Sequence, residues 1–247
     1  MFNFFVDEQR RENDCFFIIG ADFNHIKNVL RMKLGDTFLV NCGGKNYLCE
    51  LVEYKENSVV AKIKEKDFLV SESPIKIYLF QGLPKNDKME LIIQKAVELG
   101  VYSIIPIEME HCVVRLDEKK KKSKVERWQL ISESAAKQSK RNIVPEIQNV
   151  CSFKSALEFA KTLDVILVPY ENEDGIASTK AALSLIKSGM SVGIFIGAEG
   201  GFSKSEIEMA KNIGGKTISL GKRILRTETA AITATAMCML YAEMELS

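Results

Sequence analysis

From residue 75 onward, short apolar runs alternate with helical patterns, and this alternation limits the possible fold more than any other feature of the sequence. Residues 75–80, 102–106, 164–169, 194–196 and 217–220 read as strands, with a further short one expected within 143–148. Between them lie helices opened by Asp87 with Glu90, Ser123 with Glu126, Ser152, Ile176, Ser203 with Glu206, and Thr227. A Ser or Asp followed three residues later by Glu can satisfy two free helix N–H groups at once, which is why these pairs mark helix starts. Gly100 and Gly189 stand where helices end in left-handed backbone. Strands apolar on both faces, in strand–helix order, call for an α/β domain: a mostly parallel sheet with helices on both faces.

The first 70 or so residues follow another pattern. Runs at 16–19, 37–41, 47–52 and 58–63 are separated by Gly, Asp and Asn turns, as in a small β-rich barrel or sandwich. Asp22 is placed to cap a short helix carrying His25, Val29 and Leu30. Ser71, Glu72, Ser73 and Pro74 form a polar joint, so the expected domains are 1–71 and 74–247. The six cysteines are scattered without a C-x-x-C pair, and the two histidines lie far apart, which points away from disulfides and from a metal site. With no secretory signal and no run of eighteen apolar residues, the expectation is a cytoplasmic protein without membrane spans.

Two late stretches concentrate the polar chemistry. In residues 193–206, Ile194, Phe195 and Ile196 lead into Gly197, Gly200 and Gly201, where the backbone can turn sharply and approach another molecule. Ser203 and Glu206 then open a helix, with Phe202 able to staple onto Ile207. In residues 219–231, Arg223, Arg226, Thr227, Glu228 and Thr229 precede a helix that is apolar on most of its circumference. Either loop alone reads as an ordinary strand–helix connection, but charges set against a buried helix require partners, from a ligand or a second subunit. Gly215-Lys216-Thr217 is not a phosphate loop, because Ala210 stands at its first glycine position and the order is helix then strand. A nucleotide-like ligand without phosphates suits the backbone of 197–201 and 220–225.

The net charge of +1 carries no information about nucleic acid, but its distribution does. Arg115, the lysines at 119–122, Lys124, Arg127, Lys137, Lys140 and Arg141 form one basic stretch; His25, Lys27, Arg31 and Lys33 form another. Both read as solvated faces or, together, as contacts for a long polyanion. His111 and Cys112 read as strand neighbours on opposite faces, which rules out a dyad, and Cys238 reads as core packing. The small residues of the last helix, Ala230, Ala231, Ala234 and Ala236, permit close approach and suit either internal burial or a homodimer interface.

Ile196-Gly-Ala-Glu-Gly-Gly-Phe-Ser together with Ser219-Leu-Gly-Lys-Arg-Ile-Leu-Arg-Thr-Glu-Thr-Ala-Ala resembles the signature of the RsmE group of the SPOUT superfamily, enzymes that methylate N3 of a uridine in small-subunit ribosomal RNA. The likeness extends to 25–36, similar to the group's PUA-like N-terminal domain, to 85–100, and to Arg127-Trp128 and Gln138-Ser-Lys-Arg141. The sequence departs from the group at Ala198 and Lys222, where proline is usual, at Lys140, a usual glycine, and at His111-Cys112, a usual Arg-Ser. The resemblance implies a knotted C-terminal half of SPOUT type that binds S-adenosylmethionine in three loops. The cofactor residues it implies are Val168 and Pro169, then Gly197, Glu199, Gly200 and Gly201, then Leu220, Gly221, Ile224, Leu225, Thr227, Thr229 and Ala230. It further implies that Arg226 stabilises the charge on the reacting uracil, with Glu199 or Glu228 as proton acceptors or orienting groups, and that Arg31, Arg115 and Arg141 hold RNA phosphates. A homodimer formed through the C-terminal domain is expected. A non-catalytic RNA-binding assembly factor, and a methyltransferase of the same fold acting on another RNA, are the alternatives.

Overall fold

The computed structural model describes residues 1–68, 71–171 and 175–246, and the chain divides into two compact units. The first comprises Met1–Glu72 and Ala136–Val144, so a stretch beyond the joint at 71–74 belongs with it. Its strands are β1 (Asn3–Phe5), β2 (Arg11–Glu12), β3 (Cys15–Ile19), β4 (Thr37–Cys42), β5 (Lys45–Tyr54) and β6 (Ser58–Lys66). They form one sheet in the order β1-β4-β5-β6-β3-β2, antiparallel except where β1 lies parallel to β4. Phe16, Phe38, Cys49, Leu51 and Val59 are fully buried in its core.

Helix α1 (Gly20–Asn24) runs into a π-helical turn at His25–Val29. Asp22 does not cap it: the N-cap is Ile19, and the Asp22 carboxylate instead pairs with Lys137 at 2.9 Å. Within the same unit the guanidinium of Arg141 is only 3% exposed and grips Glu72, its Nε lying 3.0 and 3.1 Å from the two carboxylate oxygens.

The second unit comprises Ser73–Ala135 and Pro145–Ser247. Its strands are β7 (Lys76–Gly82), β8 (Ser103–Glu108), β9 (Glu146–Ile147), β10 (Cys151–Ser152), β11 (Val165–Pro169), β12 (Ser191–Ile196) and β13 (Lys216–Ile218). The order is β10-β8-β7-β12-β11-β13, with β9 also on β8, and every pairing is parallel. Helices α2 (Lys88–Glu98), α3 (Glu118–Ser139), α4 (Phe153–Ala160), α5 (Ala177–Leu183), α6 (Lys204–Asn212) and α7 (Thr227–Glu245) complete the α/β architecture. The unbroken apolar run of β12 is buried from Val192 to Ile196, as a strand covered on both faces must be. Phe80 on β7 stacks on Phe195 of β12 at a centroid distance of 4.2 Å. Helix α7 packs on α2, β7 and β12 through Ala231, Ala234, Cys238, Met239 and Ala242, a stripe at helical spacing. Its other face leaves Leu240 and Met244 exposed.

Three local expectations give way to competing chemistry. Helix α3 begins at Glu118, not Ser123, because the Asp117 carboxylate accepts from the Lys120 N–H at 2.8 Å and the lysine run, a good helix former, propagates from there. At α2 the Asp87 side chain makes no cap bond, and Glu90 turns to Arg127 at 2.9 Å. His111 and Cys112 lie in a turn after β8 rather than on a strand. By contrast, Ser203 and Glu206 form the full reciprocal capping box, Ser152 caps α4, and Gly100 closes α2 at φ +97°.

Candidate functional site

Within the second unit, the carboxyl ends of β11, β12 and β13 open into loops that meet the first turns of α7 and α2. They enclose a cavity of about 580 Å³. Two hydrogen-bonded junctions fix its walls. The Thr227 hydroxyl donates to the Gly197 carbonyl at 2.6 Å and accepts from the buried Gln81 amide at 2.9 Å, tying the start of α7 to the loop after β12. The Thr179 hydroxyl donates to the Ser219 carbonyl at 2.6 Å and accepts from its N–H at 3.0 Å, so α5 anchors the loop after β13. Thr227 is thus the first residue of α7 and not its cap; Arg226 holds the cap position in extended backbone.

The glycines act chiefly on the protein's own packing. A methyl group on Gly200 would stand 2.7 Å from the His111 Cβ, and one on Gly82 would stand 2.6 Å from the Ala198 nitrogen. Gly201 and Gly221 differ, at φ +66° and +109° with open space where a side chain would go.

The charges of the cavity are asymmetric. Lys88 places its ammonium 3.0 Å from Glu199 Oε1 and 3.4 Å from Glu228 Oε2. Burial alone would push the Glu199 carboxyl up, but the Lys88 ammonium and the Lys85 backbone N–H, at 3.0 Å, hold it below the ordinary carboxylate range. The hydrogen bond to Glu199, ahead of the other effects, pushes the Lys88 ammonium up. A lysine held this way stays charged, and Glu199 stays an anion unsuited to taking a proton from a weak acid. Lys222, Arg223 and Arg226 line the exposed side, and among the described residues none of them pairs with a carboxylate.

Of the residues expected from sequence, Pro169, Gly197, Glu199, Gly200, Gly201 and Leu220 line this cavity, as do Gly221, Ile224, Leu225, Arg226, Thr227 and Ala230. Val168 does not: it is 1% exposed within β11. Thr229 faces away from the cavity on the exposed side of α7, and Glu228 reaches the site only through Lys88. Lys88, Tyr170, Phe202 and Ser219 line the cavity without having been singled out. Only their positions beside the chosen residues could have flagged the last three, and nothing local flags Lys88. Of the three arginines expected on RNA, Arg31 is exposed and Arg115 is exposed with its guanidinium on the Met109 and Glu110 carbonyls at 3.3 and 3.4 Å. Arg141 is committed to Glu72 and buried, which takes it out of reach of a phosphate.

Among the described residues no group of His, Cys, Asp and Glu could hold a metal ion, and no helix is long and apolar enough to cross a membrane. A glycine-walled cup at the carboxyl ends of parallel strands, in a chain that also carries a separate β-rich unit, defines an α/β ligand-binding protein with an accessory domain. The model of the RNA methyltransferase domain matches residues 71–239, and that of the RNA methyltransferase PUA domain matches 18–64. Ribosomal RNA small subunit methyltransferase E of Bacillus subtilis is 40% identical over 92% of this chain and 90% of its own. The protein of that name from Mesomycoplasma hyopneumoniae is 36% identical over 97% and 99%. The crystal structure of ribosomal RNA small subunit methyltransferase E from Neisseria gonorrhoeae bound to S-adenosyl methionine superposes with a TM-score of 0.81 at 29% identity, covering 97% of each chain. The chain belongs to the ribosomal RNA small subunit methyltransferase E family.

Proposed function

We propose that the protein is a cytoplasmic methyltransferase that uses S-adenosylmethionine to methylate N3 of a uridine in small-subunit ribosomal RNA, acting as a homodimer through its second unit. The observation that carries this reading is the 580 Å³ cup, whose walls fit that cofactor. Among the described residues, nothing accepts a hydrogen bond from the Leu220, Ile224 or Leu225 N–H, so the wall presents free backbone donors such as an adenine requires. The net −1 of Lys88, Glu199 and Glu228 suits a sulfonium, and no phosphate-binding glycine–lysine loop is present, in keeping with a cofactor that has no phosphates. The cofactor, when bound, supplies an electrophilic methyl group.

The chain's own task is then to orient the uracil and to favour loss of its imide proton, since neutral N3 is a poor nucleophile. Arg226 is the residue we assign to the negative charge on the uracil; its exposure at the rim and its lack of a carboxylate partner among the described residues support this. Arg31 and Arg115 remain exposed for phosphates. The exposed Leu240 and Met244 on α7 offer an apolar contact to a second copy.

Arg226→Ala is expected to slow methyl transfer about 10²- to 10³-fold while calorimetric cofactor affinity stays within twofold. Mass-spectrometric mapping of modified uridines, with the wild type and the variant, gives the readout. Normal turnover by the variant removes Arg226 from the mechanism, and absence of cofactor binding by the wild type removes the enzyme reading.

A further inference from the structure

The cup contains a cation that neither the signature loops nor their neighbours supply. Lys88 is the first residue of α2, and it enters the cavity from a helix distant in sequence from both glycine stretches. Its side chain is 27% exposed, and its ammonium hydrogen-bonds Glu199. Glu228 Oε2 is buried and lies 3.4 Å from the ammonium, at a distance that makes this the weaker of its two carboxylate contacts. An ammonium has three protons to donate, so one bond to Glu199 leaves donor capacity toward the cavity.

The surroundings limit what that donor can recognise. Two carboxylates beside one ammonium give a net charge of −1, which repels a phosphate. Of the other acids near Lys88, Asp87 is exposed at the helix N-cap and Glu90 is occupied by Arg127, while Glu171 lies with Lys222, Arg223 and Arg226 on the exposed side of the cavity. A neutral carbonyl that gains negative charge during reaction fits; a standing anion does not. Because Glu199 keeps the lysine protonated, Lys88 cannot serve as the base.

Building on the methyltransferase reading above, we propose that Lys88 is a catalytic residue whose ammonium, held between Glu199 and Glu228, donates to a uracil carbonyl flanking N3 and stabilises the imide anion. In the step it assists, the N3 proton passes to solvent water and N3 then bonds the methyl carbon as the carbon–sulfur bond breaks, its electron pair staying on sulfur. Glu199 and Glu228 thereby become positioning residues for Lys88 and not proton acceptors.

The test compares wild type, Lys88→Met and Lys88→Arg in single-turnover methylation of small-subunit RNA across pH, with cofactor affinity measured by calorimetry. A second readout does not depend on turnover: 19F NMR of RNA carrying 5-fluorouridine at the target, bound together with S-adenosylhomocysteine, reports N3 ionisation. Lys88→Met is expected to be about 10²-fold slower near neutral pH, with the deficit closing as the pH approaches the free imide pKa. The bound N3 pKa should rise with it by about two units. Lys88→Arg should recover most of both, and cofactor affinity should hold. A deficit independent of pH, an unchanged N3 pKa, or a matching loss of cofactor affinity overturns the assignment. If Lys88→Met does not fold, Lys88→Gln, which keeps a donor and loses the charge, replaces it; the bound N3 pKa should again rise, and an unchanged value overturns the proposal. A wild type that methylates no uridine defeats the underlying function instead, whatever Lys88 does.

Discussion

Replacing Thr227 by valine probes the junction on which the cup rests. The substitution keeps the shape of the side chain and removes its hydroxyl. Two hydrogen bonds disappear, one of 2.6 Å to the Gly197 carbonyl and one of 2.9 Å from Gln81 Nε2, in a residue only 6% exposed. Gln81 is fully buried, and without the hydroxyl its Nε2 keeps only the Gly82 carbonyl, at 2.9 Å, leaving one amide proton unpaired. Leaving such groups unpaired costs about 1–3 kcal/mol each, less what is recovered by not burying the hydroxyl, for a net loss of about 2–3 kcal/mol. Thr227→Ser keeps both bonds and loses one methyl, about 0.8 kcal/mol. Urea unfolding followed through Trp128, the sole tryptophan and 3% exposed in the second unit, reads both variants. Valine should be the less stable by about 1–2 kcal/mol. Cofactor affinity should fall with valine and hold with serine, because the hydroxyl joins two walls of one cavity. A valine variant as stable as the serine variant refutes this account of the junction.

Elsewhere the structure gives direct expectations. Lys140 follows α3 at φ +58°, with its own N–H and that of Arg141 turned back onto the Lys137 and Ala136 carbonyls, a left-handed helix end that a side chain fits poorly. Lys140→Gly should therefore raise the unfolding free energy by about 0.5–1 kcal/mol, read as a higher urea midpoint at unchanged m-value. Glu72→Ala should destabilise the protein by about 3 kcal/mol in the same measurement, since it strands the buried Arg141 guanidinium. Burial pushes the Cys238 thiol up from 9.0 to about 12. A raised folded pKa favours the native state fully below 9.0, and that contribution is lost as the pH climbs toward about 12. The thermal advantage of wild type over Cys238→Ala should shrink above pH 9.0, and in the native protein Cys238 should resist thiol reagents at pH 8 while half-buried Cys15 reacts.

What the sequence revealed correctly was decided within a few residues. The Ser203–Glu206 box, the Ser152 cap, the Gly100 helix end and the apolar β12 each depend on neighbours along the chain, and each formed. Where two local signals competed, the choice turned on context. The sequence marks Ser123 as the helix start, yet the helix begins at Glu118, behind the Asp117 carboxylate, because the lysines that follow sustain it. What stayed hidden was contact over distance. Lys88 meets Glu199 across 111 positions, and Arg141 meets Glu72 across 69. No periodicity encodes either pair, so a cavity lysine went unnoticed and a buried arginine passed for a surface one.

The same distinction separates the shape of the cup from its chemistry. Its glycines read from sequence as room for a ligand, yet Gly200 is small because His111 occupies the space where its side chain would be, just as outside the cup the Ala198 backbone excludes a side chain at Gly82. They set the curvature of the wall by internal packing and do not themselves select a ligand. Selection falls to the charges, which are graded. On the exposed side Lys222, Arg223 and Arg226 outnumber Glu171, a balance attractive to a polyanion. Around the part-buried Lys88, two carboxylates reverse the sign to a net −1, favourable to a sulfonium and unfavourable to phosphate. A pocket built for a phosphorylated nucleotide would carry the opposite gradient, with its cations innermost. For the methyl transfer proposed above, this gradient suits an RNA held at the mouth with its backbone kept out of the interior, so that a single unstacked base enters.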